Sequence, residues 1–221
     1  MLDKTITQIL NTLDMLYPFD FTCFLHYEHS KPWQLLFATI LSAQCTDDRV
    51  NLVTKELFYK YPSLESFAQA DYGTLSEDIR STGFYRMKAK HIIESAYKLL
   101  ATHNGVLPSD IAALTALPGV GRKTANVVRG HIFRIPSVVV DTHVKRVTYK
   151  LGLTRHTDPE KIEFELMDIL PESNWISYNQ QIITHGRKVC VARSPKCNEC
   201  ELSQWCKAFQ EAKASVNHTA F

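Results

Sequence analysis

Helical periodicity dominates this chain, with apolar residues recurring at the three- and four-residue intervals that put them on one face of a helix. The segment "ITQILNTLDMLY" at 6–17 reads as a helix that Pro18 ends. At 33–44, "WQLLFATILSAQ" is apolar nearly all round, which predicts a helix buried on most sides. Thr46 is placed to cap the next helix, with Asp47 and Asp48 in its first turn where they suit the dipole, and the short corner Gln44–Cys45 lies between the two. Further helices are predicted near 63–70, 74–81, 86–103, 109–116 (with Ser109 as the cap), 122–133, 142–151, 158–169 and 174–186. Only "SVVVD" at 137–141 looks strand-like, and it is too short and isolated to build a sheet. Residues 212–221 are expected to form a loose tail. The pattern predicts an all-α protein.

With 221 residues, 45% of them hydrophobic, the chain can form one large domain or two small lobes. The opening residues "MLDKTITQIL" lack the apolar core and small-residue cleavage site of a targeting signal. The longest apolar run, "LLFATIL" at 35–41, is too short to span a bilayer. A soluble, cytoplasmic protein with no membrane partner is expected, nucleoid-associated if the source is bacterial. Net charge is only +2, but its distribution is uneven. Residues 1–110 carry 10 basic and 13 acidic side chains (net −3), and residues 111–221 carry 15 and 10 (net +5). The C-terminal half is therefore the better candidate for a phosphate-facing surface, although a mixed solvated surface fits the charges equally well.

One candidate for that surface is "LPGVGRKTANVV" at 117–128. Pro118 fixes φ, Gly119 and Gly121 permit positive φ and keep side chains out of the way, and Arg122 and Lys123 stand where a helix begins. The N–H groups of that helix's first turn would then point outward, and the dipole adds to their pull on an anion. Flanked by helical patterns, the segment is a helix–hairpin–helix suited to a phosphodiester oxygen; an ordinary αα-turn is the alternative. Lys123 admits two readings. It neutralises a phosphate, or it is a nucleophile, for which an amine must be neutral; the helix start and adjacent Arg122 both disfavour the ammonium. Asp141 is placed as an N-cap, yet at eighteen residues beyond Lys123 it is also placed to return a carboxylate to that lysine.

Six cysteines in an intracellular chain argue against a disulfide framework. Four of them, Cys190, Cys197, Cys200 and Cys206, form the pattern C-x6-C-x2-C-x5-C, which points to metal. Zinc sites often use two short-spaced pairs, whereas only Cys197 and Cys200 form one here. The outer ligands are spread as though around a larger object, and four thiolates suit a cubane cluster. Cys23 and Cys45 stand alone and are most simply buried thiols.

The hairpin, the proline-bearing loop "FRIPSVVVDTH", "LLFATILSAQCTD" at 35–47, "STGFYRMKAK" at 81–90, "HGRKVC" at 185–190 and the cysteine cluster together resemble the endonuclease III family of DNA glycosylases. The similarity extends over nearly the whole chain. It implies a bifunctional DNA glycosylase and AP lyase of base excision repair, acting on duplex DNA that contains damaged pyrimidines or AP sites, with a [4Fe–4S] cluster on the four cysteines. Lys123 matches the family's catalytic lysine and Asp141 its catalytic aspartate. The adenine-excising relatives lack that lysine, so Lys123 favours the lyase branch. Gln44 matches a glutamine that fills the gap left by a flipped nucleotide, and Phe84 a wedge position often held by leucine; a helix cap and a core aromatic are the plain alternatives. Arg134 stands where relatives often have glycine, and either meets phosphate or is simply solvated. Gly119, Gly121 and Arg122 of the hairpin, with Arg193 and Lys196 of the loop between the first two cluster cysteines, are the expected phosphate contacts.

The expected architecture is two helical lobes flanking a DNA-binding cleft: 22–132 with the hairpin, and 1–21 plus 133–221 with the cluster. A monomer is expected. Three rivals remain at this point: a same-superfamily glycosylase with another base specificity, a non-catalytic DNA-binding module with a structural metal, and a redox protein.

Overall fold

In the computed structural model of the chain, which describes residues 2–218 and the side chains of 4–215, several helices begin where a short oxygen-bearing side chain reaches a first-turn N–H group. The helices are α1 (Leu2–Leu16), α2 (Trp33–Leu41), α3 (Asp47–Lys60), α4 (Leu64–Ala68), α5 (Tyr72–Asp78), α6 (Tyr85–His103), α7 (Ile111–Thr115), α8 (Arg122–Phe133), α9 (Thr142–Leu151), α10 (Pro159–Ile169), α11 (Trp175–Lys188) and α12 (Lys207–His218). Thr46 caps α3 as expected, accepting from the Arg49 N–H at 3.4 Å. The cap of α7 is Asp110 rather than Ser109, its carboxylate accepting from the Ala113 N–H at 2.8 Å.

No strand occurs among the described residues, in keeping with an all-α fold. The strand-like 137–141 segment is extended but pairs with no neighbouring strand; the Asn179 side-chain amide takes that place. Its Oδ1 accepts from the Val139 N–H at 3.0 Å, and its Nδ2 donates to the Ser137 carbonyl at 2.8 Å. The expected tail is helical as far as His218, because residues 207–218 continue directly from the cysteine segment as α12; residues 219–221 lie outside the described residues.

The chain divides into two units, Cys23–Ile135 and Met1–Thr22 with Pro136–Phe221. In the first, every residue of α2 is buried, as its all-round apolar pattern requires. Its Trp33 and Phe37 join Phe58 and Phe67 in a cluster of edge-on or tilted rings, with contacting centroids between 5.0 and 6.3 Å apart. The second unit is built on Ile6, Ile9, Leu10 and Leu13 of α1, which join Val144, Val147, Tyr178 and Ile182 in a separate core. Gln181 of α11 ties α1 down by donating to the Asp14 carboxylate at 2.7 Å. Helix α11 approaches α9 closely through Gly186, where a Cβ would stand 3.0 Å from His143 Nδ1.

Candidate nucleic-acid interface and metal centre

The hairpin between α7 and α8 is anchored from inside and open outside. Leu117 and Val120 are buried, and α6 holds the turn through Ser95 Oγ donating to the Pro118 carbonyl at 2.7 Å and Lys98 Nζ to the Ala116 carbonyl at 2.8 Å. The two glycines do different things. Gly119 has φ +74, and a Cβ there would lie 2.6 Å from His91 Nδ1 and 2.8 Å from its Cβ, so both backbone and packing demand glycine. Gly121 does not use the positive φ that glycine permits. It is the extended N-cap of α8, with φ −86 and ψ 175, and a Cβ there would meet nothing within 4 Å. The protein's own packing leaves Gly121 free to change; a molecule approaching the first-turn N–H groups would not.

This contrast is testable. Gly119→Ala should cost about 2–4 kcal/mol of stability in urea unfolding, through strain and the clash with His91. Gly121→Ala should cost no more than ~1 kcal/mol, the difference between glycine and alanine as an N-cap, yet weaken duplex DNA binding about tenfold. Equal DNA affinity for Gly121→Ala and the wild type would remove the hairpin as a phosphate site.

Lys123 lies in the first turn of α8 with its side chain exposed, beside half-buried Arg122, while Ala125, Asn126 and Val128 turn into the core. At the other end of α8, Arg134 is the C-cap with φ +56, a left-handed position that explains why glycine suits it.

Gln44 and Phe84 occupy two further corners of the same unit. Each has left-handed backbone, φ +54 and +46, and each side chain is exposed, Phe84 by 65%. Phe84 is therefore not a core aromatic. Gln44 caps neither neighbouring helix, since Ser42 ends α2 and Thr46 starts α3. A non-glycine residue held at positive φ to expose an apolar ring is strained in a way that packing does not repay.

In the other unit, Asp141 is the N-cap of α9, with Oδ1 accepting from the Val144 N–H at 2.7 Å. Two residues on, burial holds the His143 imidazole below its ordinary pKa; Asp141 opposes this, and Arg146 and Arg187 reinforce it. Arg146 bonds the carbonyls closing α11: Nη2 donates to Gly186 at 2.9 Å and to Cys190 at 3.0 Å, and Nε also donates to Cys190 at 3.2 Å. No sequence rule spanning 44 residues would have paired Arg146 with Cys190.

Cys190, Cys197, Cys200 and Cys206 all line one cavity of about 160 Å³, walled by α9, the end of α11 and α12. That volume is several times the ~30 Å³ share of one water molecule and far more than a single ion fills. The four are half-buried and form no disulfide. Among the described residues, no three His, Cys, Asp or Glu side chains are gathered as around one ion. Burial pushes the Cys190 and Cys200 thiols up, and negative charge on the other cysteines of the set adds to it. Four thiolates lining one cavity larger than a single ion form a donor set that fits an iron–sulfur cluster. Lys196 N–H donates to the Val189 carbonyl at 3.0 Å to close the loop, on which Arg193 and Lys196 are exposed. His185 is held neutral, pushed down to about 4 by burial, between the Tyr17 hydroxyl at 3.1 Å and Cys200 Sγ at 3.6 Å. The isolated cysteines 23 and 45 are half-buried rather than enclosed.

Comparison with known proteins agrees with this construction of the site. Residues 37–172 match the HhH-GPD superfamily of base excision DNA repair proteins, and residues 190–206, bounded by the first and last of the four cysteines, match the iron–sulfur binding domain of endonuclease III. Endonuclease III of Synechocystis sp. is 50% identical over 205 residues, covering 92% of this chain and 92% of its own. Two solved structures, a non-covalent endonuclease III–DNA complex and a trapped endonuclease III–DNA covalent intermediate, each superpose with a TM-score of 0.89 at 40% identity, over 96% of this chain and 98% of theirs. With its hairpin, its cysteine-lined cavity and this likeness along nearly its whole length, the chain belongs to the endonuclease III family of base excision DNA repair proteins.

Proposed function

We propose that this DNA glycosylase and AP lyase removes oxidised pyrimidines from duplex DNA through Lys123. The observation that carries the reading is an exposed amine in the first turn of a helix whose N-cap glycine leaves open space before it. The phosphate backbone is held by the hairpin around Gly119, Gly121 and Arg122, and by Arg193 and Lys196 of the cluster loop. With the target nucleotide flipped out, Gln44 and Phe84 occupy the gap it leaves. The Lys123 lone pair attacks C1′ of the sugar and the damaged base departs with the glycosidic electron pair. Asp141 accepts a proton or faces the positive charge developing on the sugar. Opening of the C1′–O4′ bond then gives the Schiff base, from which loss of a C2′ proton and departure of the 3′ phosphate by β-elimination cut the strand 3′ to the AP site.

Cys190, Cys197, Cys200 and Cys206 would hold the [4Fe–4S] cluster and, with it bound, tie down the loop that carries Arg193 and Lys196. In this reading the cluster shapes a DNA-facing surface and takes no part in bond breaking. No helix of the described residues is long and apolar enough to cross a membrane. The reading adopted for the protein is a cytoplasmic monomer.

The test is borohydride trapping on duplexes containing thymine glycol or an AP site. A covalent complex on both is expected. Trapping at the AP site alone would leave a lyase whose base substrate lies elsewhere, and trapping on neither would sink the bifunctional reading.

A further inference from the structure

Lys88 of α6 is a lysine where a core residue is expected. It is only 4% exposed, and its ammonium donates to two main-chain carbonyls, Leu41 at 2.7 Å and Thr82 at 2.8 Å. Desolvation lowers its pKa, opposed only by nearby Cys45. Burying an ammonium is costly, and these carbonyls are what meets it. Leu41 is the last residue of α2, where the helix dipole is negative, and Thr82 ends the turn Arg80–Thr82. The Lys88 backbone N–H also bonds the Phe84 carbonyl at 3.1 Å. Leu41 lies three residues before Gln44, and Thr82 two before Phe84. One amine thus ties together the bases of two strained corners that expose Gln44 and Phe84.

We propose that Lys88 is a positioning residue that fixes the spacing of these two corners, so that Gln44 and Phe84 enter the duplex as one unit. This rests on the reading above that both side chains penetrate DNA. Lys88 itself touches no substrate. Its effect belongs to the step in which the duplex is opened, and a substrate with no partner strand to penetrate should not require it.

The experiment compares single-turnover base excision from a thymine glycol duplex with cleavage of a single-stranded AP-site oligonucleotide. Lys88→Met, which keeps most of the unbranched stem but donates nothing, should slow duplex excision ~30–100-fold, the scale of an ångström-sized misplacement, and change single-strand cleavage less than about twofold. Lys88→Arg, which can still donate to both carbonyls, should recover much of the loss. Introduced into the Gln44→Ala/Phe84→Ala double variant, Lys88→Met should cost less than about a further twofold, because the side chains it positions are gone.

Unchanged duplex excision in Lys88→Met, or an equal loss in the double-variant background, would overturn the proposal while leaving the penetration reading intact. Unchanged excision in Gln44→Ala and Phe84→Ala themselves would overturn that reading, and this inference with it. Should Lys88→Met lose its helical circular dichroism, the cycle between Gln44→Ala and Phe84→Ala decides. Corners that act as one unit give losses that are not multiplicative, and multiplicative losses overturn the proposal.

Discussion

Lys123→Gln is expected to give no covalent complex on borohydride treatment with either substrate, and to lower strand cleavage at an AP site by at least ~10³-fold, the scale seen when a covalent nucleophile is removed. Glutamine is one atom shorter than lysine but shares its helix preference, and the side chain is exposed, so stability should move by less than ~0.5 kcal/mol. Binding to an uncleavable AP-site analogue should persist with its salt dependence unchanged, because a nucleophile aimed at C1′ is not one of the phosphate contacts. An intact fold and intact binding beside absent chemistry separate the nucleophile from the phosphate clamp, the two roles the sequence left open for this residue. Survival of the trapped complex would place the Schiff base on another amine and leave Lys123 as a backbone contact.

Asp141→Asn should lower base excision ~10²–10⁴-fold, the usual range for a group that moves a proton or faces developing charge. Asparagine is the informative replacement because Asp141 already has a structural role, accepting the Val144 N–H at 2.7 Å as the cap of α9. Asparagine caps as well as aspartate, so the melting temperature should stay within a degree or two of the wild type, whereas Asp141→Ala would add about 1 kcal/mol of lost capping to any chemical effect. If Asp141→Asn excises at the wild-type rate, the aspartate is a cap and nothing more. Excision lost together with stability would mean that the carboxylate charge supports the fold itself, and its catalytic role would then need independent proof.

Much of this was legible because the governing rules are short. A proline and two glycines followed by a basic helix start, an aspartate before a helical run, and four cysteines at fixed spacing each involve a handful of neighbouring residues. Capping and periodicity act over three or four positions, so α8 and α9 begin and end where their patterns say. The local rules also had local failures. Ser109 and Asp110 are equally good caps by residue type, and it is the Asp110 carboxylate that accepts the Ala113 N–H. The glycine of Gly121 is not explained by φ; the open space before it is a three-dimensional fact.

Residue order alone establishes that the chain is helical, that its hairpin presents backbone and an amine, and that four thiols gather for a metal group. These follow from dihedral limits, helix-end chemistry and ligand spacing. It took the packed helices to show that Asn179 satisfies the extended 137–141 segment, that α12 walls the cysteine cavity, and that Lys88 holds two corners from within the core. Each of those depends on groups distant in the chain meeting in space. Buried donors and acceptors must find partners, but which partner they find is set by how the helices pack, and no local pattern contains that choice.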